Sequence, residues 1–71
     1  MVSYKRLWKT LLDKDMTKTD LRMRVGMSTA TLARMGRDEY VEMKLLDKIC
    51  NELQCGIEDV FEVIIDKKEG A

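Results

Sequence analysis

In the stretch Thr17–Arg37, TKTDLRMRVGMSTATLARMGR, one glycine divides two short runs of helical spacing, and that arrangement limits the fold more than anything else in the chain. Thr17 begins the first of these helices, with Asp20 three residues on as a weak version of the capping box that also puts negative charge in the first turn. Met16, just before the cap, is placed to staple onto Leu21. Leu21 and Val25 share a face, and Gly26 ends the helix where a left-handed residue is needed. Met27 turns back into the core. Ser28 then caps a second helix, Thr29 to Met35, with Leu32 and Met35 on its buried face and Gly36 as its C-terminal cap. Two helices pinned at a fixed angle across so short a turn present the second as a rigid rod suited to a major groove. A helical hairpin in an ordinary bundle has the same spacing, so the rest of the chain has to separate the two.

A chain of 71 residues is one small domain. At that size only about 60% of the unfolded surface is buried, so stability rests on well-packed helices, a metal, disulfides or a partner. The composition favours helices: there is no proline, and Lys, Leu, Glu and Met are abundant. No apolar run approaches the ~20 residues of a membrane span, and MVSYKRLWK lacks the continuous apolar core of a signal peptide. The expectation is a soluble cytoplasmic protein.

Around the central stretch, Tyr4, Leu7, Trp8, Leu11 and Leu12 follow helical spacing and define a first helix over Tyr4–Lys14, with Ser3 as its N-cap. Beyond the polar loop Arg37–Glu42, a stripe of Leu46, Ile49, Cys50 and Leu53, broadened by Leu45, predicts a fourth helix from Met43 to Gln54 with Glu42 as a mediocre N-cap. Gly56 marks a break before a short fifth helix, Ile57–Phe61. From Phe61 to Ile65 the pattern also alternates as a strand does, so periodicity leaves helix and strand both open there. Lys67–Ala71 reads as a frayed polar tail. The resulting class is all-α, five short helices with a short extended C-terminal segment as an option.

Cys50 and Cys55 are five positions apart near the end of a helix, which turns them about 140° away from each other. They read as buried free thiols, not as a disulfide. With no histidine and no second cysteine pair, neither a metal site nor a cofactor is expected. The net charge of zero conceals an asymmetry: residues 1–37 hold nine basic and three acidic side chains, residues 38–71 four basic and ten acidic. A one-sided positive field is the footprint of a polyanionic partner.

From YKRLWKTLLDKDMTKTDLRMRVGMSTATLARMGRDE through LLDKICNELQCGIEDVFE, the chain resembles the small Cro/repressor-type helix-turn-helix regulators of bacteria and phages, the XRE-like family. The most specific pieces are MTKTDLRMRVGMSTATLARMG, with the pattern T-x-x-x-L, a three-residue spacer, G, S-x-x-T-L, and KICNELQCGIEDVFE, matching the usual fourth and fifth helices. The resemblance implies five short helices and binding of double-stranded DNA, commonly as a homodimer on inverted repeats. Two positions depart from the pattern. Arg22 stands where many members have alanine, so its stem must lie along the helix interface with its head reaching solvent. Met35 and Gly36 replace a common Glu-x-Gly-x ending, so no role of that glutamate transfers.

The family pattern places Ser28, Thr29, Ala30, Ala33 and Arg34 nearest the base edges, with Arg34 able to pair bidentately with guanine and Thr29 and Ala30 suited to hydroxyl contacts and thymine methyls. Thr17, Lys18 and Thr19 would meet phosphate at a helix N-terminus, with Arg37 and Lys44 as further phosphate contacts. The apolar run Val60, Phe61, Val63, Ile64 and Ile65 either forms the dimer contact or covers the core. Little in the chain could build a general base or nucleophile, so an enzyme is not expected. Nor is a small-molecule ligand or a membrane partner. The rival reading is a protein-interaction module, such as an antitoxin or anti-repressor, working through the acidic half.

Overall fold

The computed structural model describes residues 1–65. They form four α-helices, α1 (Lys5–Asp13), α2 (Lys18–Val25), α3 (Thr29–Gly36) and α4 (Met43–Leu53), followed by a 3-10 turn at Ile57–Asp59. Two very short strands, β1 (Val2–Ser3) and β2 (Glu62–Val63), pair antiparallel, with Val2 opposite Val63 and Ser3 opposite Glu62. The architecture is therefore mostly helical, with a small ribbon joining the two ends of the described chain. The tail expected at Lys67–Ala71 lies outside the described residues.

Three expectations change. The fifth helix is only a 3-10 turn, held by the Asp59 and Val60 amides bonding to Gly56 and Ile57 at 3.1 and 3.0 Å. The Asp59 carbonyl is taken by the Thr10 hydroxyl at 3.0 Å, and the chain then straightens to pair with β1 instead of coiling on. Ser3 belongs to β1, so the cap position of α1 falls to Tyr4, which makes no side-chain cap bond; the Ser3 hydroxyl still accepts the Lys5 amide at 3.2 Å. Leu12 is 78% exposed, because the buried stripe of α1 is narrower than its apolar spacing suggests.

Each of the four helices ends in the same way. Asp15, Gly26, Asp38 and Gln54 have φ of 59°, 74°, 57° and 53°, and the next amide reaches back to the carbonyl five residues earlier. Those bonds are Met16 to Leu11 at 2.9 Å, Met27 to Arg22 at 3.0 Å, Glu39 to Arg34 at 3.0 Å and Cys55 to Cys50 at 3.1 Å. This left-handed closure satisfies carbonyls that a helix end leaves open and reverses the chain within two residues. Met16, Met27 and Cys55, the residues after the reversal, rest in or against the core, as the motif's hydrophobic contact requires. Gly36, expected as the cap of α3, instead lies inside the helix; Asp38 makes the left-handed turn.

The core is a cluster of Leu7 and Leu11 from α1, Leu21 and Val25 from α2, Met35 from α3, and Leu46, Ile49 and Leu53 from α4. Val2, Tyr4, Met27 and Val60 complete it, and Met16 packs on its edge. The capping box at the start of α2 is complete: the Thr17 hydroxyl accepts the Asp20 amide and the Asp20 carboxylate accepts the Thr17 amide, both at 3.0 Å. Ion pairs between Arg24 and Glu52 at 3.2 Å and between Arg6 and Glu62 at 2.7 Å tie α2 to α4 and α1 to β2. Both pairs are solvent-exposed and add little stability. No helix of the described residues is long and apolar enough to cross a membrane.

Candidate nucleic-acid interface

Gly26, Met27 and Ser28 separate α2 from α3, and each does a different job. Gly26 supplies the left-handed turn, Met27 is buried as a pin, and the Ser28 hydroxyl accepts the Thr31 amide at 3.1 Å. Arg22 holds the turn from behind. Its stem is half-buried, as expected, but its guanidinium donates to the Met27 carbonyl at 3.4 Å. Met35 buries the inner side of α3 while Thr29, Ala30, Ala33 and Arg34 face solvent. Among the described residues Arg34 makes no ion pair. The outer face of α3 therefore combines three small residues with one free guanidinium. A backbone can approach a partner closely there, and the arginine supplies a planar, two-pronged donor.

The remaining candidates do not all stand equally free. Ser28 also donates to the Thr31 hydroxyl at 3.0 Å, so its one donor serves the cap and only an acceptor position stays open. The Thr17 amide and hydroxyl are held in the capping box, which leaves the amides of Lys18 and Thr19 as the first-turn donors of α2. The Lys18 ammonium sits 4.3 Å from the centre of the half-buried Trp8 ring, a cation–π contact that joins α2 to α1. Arg37 is paired with Glu39 at 2.8 Å. That hydrogen bond holds the Glu39 carboxyl below the usual glutamate range and raises the arginine further.

Lys44 is exposed at the start of α4 and lines an open groove of about 360 Å³ with Ser28, Thr31 and Arg34. Lys48, one turn further along α4, lines the same groove. Sequence reading missed Lys48, although its spacing of four from Lys44 put both on one helix face. The groove thus brings Arg34, Lys44 and Lys48 to one side of the molecule, with Glu42 as the acidic member of its lining.

A family model for the Cro/C1-type helix-turn-helix DNA-binding domain matches residues 6–66. The chain belongs to this family. Membership makes it a DNA-binding domain and not an enzyme. The structure is also similar to the crystal structure of the transcriptional regulator VanUg in its form II, with a TM-score of 0.88 and 43% sequence identity, covering 92% of this chain and 87% of that one. No curated protein matches the chain.

In this Cro/C1-type domain the loop after α3 is anchored from the opposite end of the sequence. Tyr4 is fully buried, donates its hydroxyl to the Glu39 carbonyl at 2.7 Å, and gives its amide to the Asp38 carboxylate at 3.1 Å. Its ring lies 6.1 Å from that of Phe61. Burial pushes the phenol pKa up and the Asp38 charge adds to it, against an opposing bond from the Val41 backbone. Sequence reading placed Tyr4 in the first helix as core and had no signal for these long-range bonds. Tyr4 thereby ties the loop that follows α3 to the start of α1.

Proposed function

We propose that the chain is a sequence-specific regulator of transcription that lays α3 in the major groove of double-stranded DNA and represses by occupying an operator. The observation that carries this reading is the outer face of α3, three small side chains and an unpaired Arg34, beside a groove lined by Lys44 and Lys48. Arg34 reads guanine bidentately, Thr29 offers a hydroxyl, and Ala30 and Ala33 give clearance and apolar contact. Ser28 contributes its backbone more than its occupied hydroxyl. Lys18, Thr19, Lys44 and Lys48 neutralise phosphate; Thr17 and Arg37 take part only by giving up present partners. The likeness to VanUg, a transcriptional regulator, supports the regulatory role. The protein would act in the cytoplasm, as one domain over 1–71.

One such helix reads only a few base pairs, so specificity calls for a homodimer with its two α3 helices about 34 Å apart. Of the apolar C-terminal run, Val60 is core and Phe61 packs against it, which leaves Val63, Ile64 and Ile65, at 63%, 38% and 73% exposure, as the dimer contact. Fluorescence anisotropy on random duplex and on a site selected from a random pool tests the reading. Affinity for random duplex should fall steeply with salt as counterions are released. Arg34→Ala should cost about 1–3 kcal/mol on the selected site and little on random duplex. Equal loss on both removes Arg34 from base reading. No binding even at low salt rejects the DNA reading in favour of a protein-interaction module.

A further inference from the structure

The way α4 ends turns the two cysteines together. Continued as a helix, positions 50 and 55 would point about 140° apart. The chain instead leaves α4 at Gln54, whose left-handed φ of 53° folds it back, and the Cys55 amide bonds to the Cys50 carbonyl at 3.1 Å. Both are free thiols, half-buried against the core. Both also line a single open depression with Asp47, Asn51, Gln54 and Gly56, so a small reagent reaches them together. Because α4 ends at Leu53, the 140° helical angle does not carry through to Cys55.

We propose that Cys50 and Cys55 form a thiol-modification site, a dithiol that small disulfides such as oxidised glutathione convert reversibly to an intrachain disulfide closing the end of α4. One cysteine, as thiolate, attacks a sulfur of the small disulfide, forming a mixed disulfide and expelling one glutathione thiolate. The neighbouring cysteine then attacks the protein sulfur of that mixed disulfide and expels the second. Two protein thiols and one glutathione disulfide become one protein disulfide and two glutathione thiols. The protein loses two electrons, and its two protons end on the released thiols. Burial raises both cysteine pKa values, with Cys50 also feeling Cys55 and Asp47 and Cys55 also feeling Asp59 against an opposing Lys14. The first attack is therefore slow at neutral pH, while the second is intramolecular. Such a pair follows the ambient thiol–disulfide balance and is a poor trap for brief bursts of oxidant. The reading does not depend on DNA binding, because the depression contains no residue of the α3 face.

The full chain is equilibrated with mixtures of oxidised and reduced glutathione, quenched with an alkylating reagent and weighed by mass spectrometry, once in native buffer and once unfolded in urea. The native chain should become a monomer two hydrogen atoms lighter with no alkylated thiol, at a fraction of oxidised glutathione at least tenfold lower than the unfolded chain requires. Cys50→Ser and Cys55→Ser should each stop at a single glutathione adduct. The proposal is overturned by an equal or higher native midpoint, by glutathione adducts as the main native product, or by disulfide-linked dimers in their place.

Discussion

One glycine precedes α3 and another is its last residue, and alanine at each should move stability in opposite directions. A Cβ added at Gly26 or at Gly36 meets nothing within 4 Å, so neither substitution is decided by a clash. What differs is the backbone. Gly26 holds φ at 74°, a conformation that costs an L-residue about 1–2 kcal/mol, partly offset by the smaller entropy of the unfolded alanine chain. Gly26→Ala should thus destabilise by about 1 kcal/mol and lower Tm by about 4–8 °C in a domain of this size. Gly36 sits within α3 at ordinary helical φ, where glycine is about 0.5–1 kcal/mol worse than alanine. At the last residue of the helix about half of that applies, so Gly36→Ala should raise Tm by about 2–4 °C. Thermal and urea unfolding followed by circular dichroism measures both, and Gly26→Asn, which tolerates the left-handed region, should recover part of the loss. If both alanine variants shift Tm in the same direction, the contrast between a left-handed Gly26 and a helical Gly36 is wrong.

Other perturbations test the anchors and the charged face. Tyr4→Phe keeps the ring beside Phe61 but leaves the Glu39 carbonyl without its donor, and should lower stability by about 1 kcal/mol with an unchanged urea m-value. Asp20 is held below the usual aspartate range by its bonds from the Thr17 amide and hydroxyl, so its contribution is present above the unfolded aspartate pKa and fades as pH falls through the lower, folded one. Urea midpoints taken from about pH 5 to about pH 3 should therefore drop more steeply for the native sequence than for Asp20→Asn. Lys44→Ala and Lys48→Ala should each reduce the salt slope of DNA binding by about 1 and weaken selected and random duplex alike. An unchanged slope for Lys48→Ala would take the groove out of the interface.

Most of the helical layout was legible because it rests on local rules. The caps at Thr17 and Ser28, the left-handed Gly26 and the buried Leu21, Val25, Met27 and Met35 follow from spacing and residue type alone, and each is found in place. What spacing could not reveal depends on distant partners. Ser3 is in a strand because Glu62 lies opposite it, and the fifth helix shortens because Thr10 and β1 claim the chain at Asp59 and beyond. Three of the four helix ends use Asp or Gln in the left-handed region, where a search for glycine finds nothing and instead picks out Gly36. Cys50 and Cys55 are free thiols, as expected, but the helical angle between them does not apply, because α4 ends at Leu53, two residues before Cys55.

The candidate interface was legible in a different measure, because the residue types that suit phosphate are also those that cap helices. Thr17 and Ser28 spend their hydroxyls on their own helices, Arg37 is occupied by Glu39, and Lys18 leans on Trp8. A sequence shows the donors but not these prior engagements. Of the ten candidates, Thr29, Ala30, Ala33 and Arg34 on α3, Thr19 on α2 and Lys44 on α4 carry no such engagement among the described residues, and Lys48 joins them from the side. The contrast sharpens the physical reading: groups already bonded must exchange one partner for another and gain little net free energy from DNA, whereas Arg34 makes no ion pair among the described residues and feels Glu39 only at longer range. Base discrimination should therefore concentrate on Arg34, while Thr17→Ala and Ser28→Ala should act first on the stability of α2 and α3, by about 1 kcal/mol each. A Ser28→Ala variant that kept its Tm but lost discrimination on the selected site would reverse that division and make the cap a reader.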